Sequence, residues 1–110
     1  MTELGVPVVN TLLASCAVVC DHEQVFSLLS SSTLRLEKIE SYGCASPDGV
    51  WYDQAETEWV LLLTGRATLV FATGDALALN AGDYVTLPPH CKHRVEWCSD
   101  DACWLALHVM

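Results

Sequence analysis

At 110 residues, 52% of them apolar, the chain has the length of one domain and enough apolar material for a core without disulfides. Fourteen acids against five bases give a formal net charge of −9. Such a surface repels phosphate backbones and anionic lipid heads, so neither nucleic acid nor a membrane surface is an expected partner. No stretch reaches the roughly 18 apolar residues of a membrane span. The apolar run Thr11 to Cys20 is preceded by no Lys or Arg, whereas a signal peptide opens on basic residues. A cytoplasmic protein is expected.

In chain order, residues 1–9 carry Gly5 and Pro7 and read as irregular. Asn10 to Cys20 is apolar throughout, which fits a short strand or a helix equally. Asp21-His22-Glu23-Gln24 has the form of a helix start, with Asp21 capping and Gln24 reaching back. Val25, Phe26, Leu28 and Leu29 would be its buried stripe, and Ser30-Ser31-Ser32 would end it. From Thr33 the period changes to two: Leu34, Leu36 and Ile39 alternate with charged residues, as in a half-buried strand. Gly43 to Gly49 is a loop, and Trp51 to Gln54 a short extended piece. Strands are predicted over Trp59–Leu63, Ala67–Ala72, Ala76–Leu79, Tyr84–Leu87, Arg94–Cys98 and Trp104–Val109. The turns between them are Gly65-Arg66, Thr73-Gly74-Asp75, Asn80-Ala81-Gly82-Asp83 and Ser99-Asp100-Asp101. Pro88-Pro89 stops one ladder, since proline has no amide donor. Short strands with a turn every eight to twelve residues predict an all-β sandwich or barrel.

The six cysteines, Cys16, Cys20, Cys44, Cys91, Cys98 and Cys103, include no C-x-x-C pair. With this apolar content they read as free thiols. His90-Cys91 with His93 has no second Cys/His pair to complete a zinc finger. There is no G-x-S-x-G elbow, no P-loop and no dinucleotide glycine fingerprint.

Two stretches carry a family resemblance. Glu58 is followed by six residues and then Gly65; Gly82 is followed by five residues and Pro88, then four more and His93. These spacings resemble the end of the first cupin motif, G-x5-H-x-H-x3-4-E-x6-G, and the second, G-x5-P-x-G-x2-H-x3-N. Residues 34–109 are covered, and the wording from Trp51 to Trp97 looks like a group of small single-domain bacterial cupins, mostly without assigned function. The resemblance implies a double-stranded β-helix (the RmlC-like jelly-roll barrel) over residues 34–110. Residues 1–33 would form an arm and a short helix packed on its side. It further implies a homodimer, with the apolar Val8-to-Val19 region as the contact.

The resemblance also implies a divalent metal, iron, manganese, zinc or nickel, inside the barrel. Its ligands would be His93, Glu58 and one of Asp53 or Gln54. The two motif histidines are missing: their places are held by Trp51 and Asp53 in one register, or Tyr52 and Gln54 in the other. His90 stands where the second motif has glycine, and Trp97 where it has asparagine. Alternation from Glu58 points Val60 and Leu62 inward; alternation from His93 points Val95 and Trp97 inward. With Trp51 and Tyr52 these residues would line the pocket. His90 and Tyr52 are the candidate proton carriers. His108, on the last strand, is either inward-facing or an interface residue. Three functions stay open: a metal-dependent enzyme on a small polar metabolite, a non-catalytic small-ligand binder, or an interaction module whose metal site has decayed.

Overall fold

The computed structural model describes residues 5–12 and 22–110. Cys16, Cys20 and most of the predicted Asn10–Cys20 element lie outside them. Among the described residues there are eight strands: β1 (Gln24–Ser30), β2 (Leu34–Glu40), β3 (Thr57–Thr64), β4 (Arg66–Phe71), β5 (Ala76–Asn80), β6 (Tyr84–Leu87), β7 (His93–Cys98) and β8 (Cys103–Val109). They form a five-stranded sheet, β1-β2-β8-β3-β6, and a three-stranded sheet, β5-β4-β7. Every pairing is antiparallel. This is the expected all-β architecture.

The short helix predicted from Asp21 is not formed; Gln24–Ser30 is strand β1. The misreading has a physical source. β1 shifts register against β2 between Ser27 and Leu29, a bulge that changes which side chains share a face. Phe26 opposes Lys38 and Leu29 opposes Leu36, residues of the same parity on β2. Two apolar residues three apart thus lie on one face, which in a plain sequence looks helical. Among the described residues β1 is also the outermost strand of its sheet, and Val25, Leu28 and Leu29 are all more than 40% exposed.

The core lies where the inner faces of the two sheets meet. Val60, Leu62, Leu87, Trp104 and Ala106 come from one sheet; Ala67, Leu69, Leu79, Val95 and Cys98 come from the other. Cross-strand register orders the inner face of β3 and β8 into rows. Leu62 opposes Trp104, Val60 opposes Ala106, and Glu58 opposes His108. Each row is two residues, or about 6.6 Å, further along the strand. One end of the interior is therefore closed by apolar side chains and the other is polar. Gly65, between β3 and β4, has φ +83, and a Cβ there would lie 2.9 Å from the Cα of Ala102. Glycine is required at this corner by both conformation and space.

The free edge of β7 is covered by the loop before β3. Ser46 N donates to Val95 O at 2.9 Å, Tyr52 N to His93 O at 2.8 Å, and His93 N to Tyr52 O at 3.1 Å. Cys91, Cys98 and Cys103 are free thiols, as expected. Among the described residues no helix is long and apolar enough to cross a membrane.

Candidate functional site

A cavity of about 280 Å³ opens at the polar end of the interior. That is near the lower limit for ligand pockets, which run from roughly 300 to 1,000 Å³. Val60, Leu69, Leu87, Val95 and Trp104 form apolar walls; Glu23, Glu37, Tyr52, Gln54, Glu58, His93 and His108 supply polar groups.

Glu58 and His93 arrive from different sheets. Glu58 is the second residue of β3 and His93 the first of β7; they are 8% and 7% exposed. His93 Nε2 stands 3.5 Å from Glu58 Oε1. This is a charge contact longer than a hydrogen bond, and Glu58 Oε1 accepts no hydrogen bond from the protein. The other ring nitrogen of His93, Nδ1, lies 2.8 Å from the Cys91 carbonyl. A carbonyl can only accept, so Nδ1 carries a proton and Nε2 is the nitrogen that gains or loses one. Burial opposes a charge on His93, but the Glu58 carboxylate and the Cys91 carbonyl outweigh it and hold the imidazole above its ordinary value.

The Tyr52–His93 backbone pair settles the two registers left open at 51–54. Tyr52 and Gln54 line the cavity; Trp51 and Asp53 do not. Tyr52 packs beside His93 with ring centroids 5.5 Å apart. Its hydroxyl donates to Glu23 at 3.0 Å, and burial together with the Glu23 carboxylate pushes it up to about 12. Asp53 turns outward and meets His90 Nδ1 at 2.9 Å. His90, 69% exposed at its side chain, is outside the cavity with it. Its φ is +59, so the position keeps the left-handed conformation for which the motif uses glycine.

Val60 and Val95 line the cavity, while Leu62 is fully buried in the core beyond it. Trp97 does not line it. Leu69 opposes Val95 but Thr68 opposes Trp97, so Glu96 is an extra residue that reverses the alternation. Trp97 is turned out, 48% exposed, with the Arg66 guanidinium 5.9 Å from its ring centre; Cys98 takes the inward place. Trp51 is likewise outside, 6.0 Å from the Arg94 guanidinium.

Sequence reasoning did not foresee the acids around His108. This residue is 3% exposed and faces inward, opposite Glu58 on one side and Arg35 on the other. Its Nε2 lies 3.3 Å from Glu37 and 3.8 Å from Glu58, and its Nδ1 3.9 Å from Glu56. Arg35 meets the other oxygen of Glu37 at 3.1 Å and the same Glu56 oxygen at 3.2 Å. At the cavity's other side Glu23 accepts from Ser41 Oγ at 2.6 Å, and Ser41 Oγ accepts from Trp104 Nε1 at 3.1 Å. The only sequence signal for this layer was the shared parity of His108, Ala106 and Trp104 on β8.

The expected metal ligands do not assemble into a closed set. Among the described residues no three of His, Cys, Asp and Glu are grouped to hold an ion. Glu58 and His93 are together, but Asp53 is drawn outward by His90, and the inward place before Glu58 holds the neutral amide of Gln54. A resident three-ligand centre does not fit this donor set.

A family model described as the cupin domain matches residues 46–110. The chain belongs to the cupin family. Among solved structures, this cupin is similar to a protein from Ralstonia eutropha JMP134 described as a candidate mannose-6-phosphate isomerase. The two are 36% identical over 94% of this chain and 98% of that one, with a TM-score of 0.86. It also resembles in fold a cupin superfamily protein from Desulfitobacterium hafniense DCB-2: 15% identity, 84% and 82% of the chains, TM-score 0.72. A third is an RmlC-like cupin from Shewanella frigidimarina NCIMB 400: 18% identity, 84% and 79%, TM-score 0.69. None of the curated proteins compared with this cupin matches it.

Proposed function

We propose that this cupin binds a small polar metabolite in the barrel, with Glu58 and His93 as the centre of the site. The observation that carries this reading is Glu58, a cavity-lining residue whose buried Oε1 has no hydrogen-bond donor among the described residues. A buried acceptor left without a donor costs about 1–3 kcal/mol, and a ligand would remove that cost. His93 can exchange a proton at Nε2 beside it, so the site has the parts for general acid–base chemistry on what it binds. A thermal-shift screen of polar metabolites, with Glu58→Gln beside the wild type, tests this. A ligand that stabilises the wild type and not the variant is expected; no shift with any compound at millimolar concentration overturns the proposal.

An ion held by Glu58 and His93 alone, short of a three-ligand centre, is the alternative. What supports it is His93 Nδ1, tied to the Cys91 carbonyl, which leaves Nε2 as the nitrogen turned to Glu58. Elemental analysis of purified protein beside His93→Ala decides it: near-stoichiometric iron, manganese, zinc or nickel lost in the variant would establish it.

A homodimer is part of the proposal. Among the described residues nothing pairs with the outer edge of β1, and Val6, Val8 and Val9 before it are 90%, 83% and 92% exposed. A second copy is the occupant that best covers an apolar edge of this kind. Light scattering on a sizing column at micromolar concentration should give twice the chain mass; a clean monomer removes this part. The Ralstonia neighbour's description would bring a sugar phosphate to the site, but no Lys or Arg lines the cavity to meet a phosphate.

A further inference from the structure

We infer that the ligand is a small organic primary amine, bound as its ammonium ion, with an apolar body. This rests on the pocket reading above and specifies its chemistry. Two residues lining the cavity, Glu58 and Gln54, each carry a buried Oε1 with no donor among the described residues. A ligand hydroxyl supplies one hydrogen, whereas an ammonium supplies three and a charge. Glu58 is more than nine-tenths buried, so an ionic hydrogen bond to it forms away from solvent screening.

The charge around the cavity has the matching sign. Glu23, Glu37 and Glu58 bring three carboxylates to the lining, and neither Lys nor Arg is among the lining residues. Arg35, a fixed cation on the same strand as Glu37, is engaged by Glu37 and Glu56. An anionic ligand would meet these carboxylates with no Lys or Arg in the lining to offset them. Val60, Leu69, Leu87 and Val95 give the cavity an apolar wall that takes a hydrocarbon body.

Binding of three probes of one shape tests this in an amine-free buffer: 2-phenylethylamine, 2-phenylethanol and phenylacetate, with mannose 6-phosphate as a fourth. Calorimetry or thermal shift is expected to rank the amine first, at least about ten-fold tighter than the alcohol, the size of one charge-assisted hydrogen bond. Glu58→Gln should lower amine affinity at least about ten-fold and alcohol affinity far less. Gln54→Leu, which spares the charge, should weaken the amine in the same direction. Phenylacetate or mannose 6-phosphate binding as well as the amine, with loss in Glu58→Gln, overturns the amine class and leaves the pocket standing. Amine affinity unchanged in both variants also overturns it. No binding by any probe or library compound overturns both readings.

Discussion

Glu58 and His93 face each other from different sheets, 3.5 Å apart, with the far nitrogen of His93 anchored on the Cys91 carbonyl. The anchor fixes the ring, so protonation at Nε2 changes the charge beside Glu58 without moving the group that carries it.

This sets a pH dependence. The folded value of His93 lies above its ordinary 6.5. A group raised on folding stabilises fully below its unfolded value, and that contribution is lost as pH rises through the folded value. Urea unfolding from pH 5.5 to 8.5 should show the wild-type advantage over His93→Gln shrinking above about pH 6.5. In a Glu58→Gln background the slope of that difference should flatten.

Leu62 is wholly buried between the sheets. Leu62→Ala removes three carbons from a packed row and should cost about 2–5 kcal/mol in chemical denaturation.

Gly65→Ala should destabilise by about 2 kcal/mol or more, since the left-handed backbone alone costs an L residue about 1–2 kcal/mol. The added Cβ would also meet the Ala102 Cα at 2.9 Å and Ser99 Oγ at 2.5 Å. A melting temperature equal to the wild type would contradict this.

His90 occupies a glycine-like conformation at φ +59. His90→Gly should hold or raise the melting temperature, because the lost contact to Asp53 is solvent-exposed and the relieved backbone is worth about 1 kcal/mol. His90→Val, branched at Cβ, should lower it.

Turn chemistry and period-two patterning made the strands from β2 onward legible, because each has glycine, proline, asparagine, aspartate or serine where the chain reverses. The Glu58–His93 pairing was legible through motif spacing. What remained hidden depends on register between distant strands. Trp97 was expected inside because alternation takes no account of the extra residue Glu96. His108 could not be placed beside Glu58 without the β3–β8 pairing, which joins positions fifty apart in the chain. Glu23, Glu37 and Glu56 are unremarkable acids locally and become site residues only when three strands and two loops converge. The helix expected after Asp21 failed because a bulged edge strand imitates helical spacing.

The placement of the indoles gives the molecule an optical reporter of its own. Trp104 is 3% exposed and borders the cavity, while Trp97 and Trp51 stand outside at 48% and 39%. Trp59 is half-buried against Tyr84, so soluble quenchers will silence the outer two first, and in a Trp59→Phe variant the emission that survives comes largely from a ring in the wall of the cavity. A visitor to the barrel would thus announce itself as a colour change in the light that quenchers cannot reach.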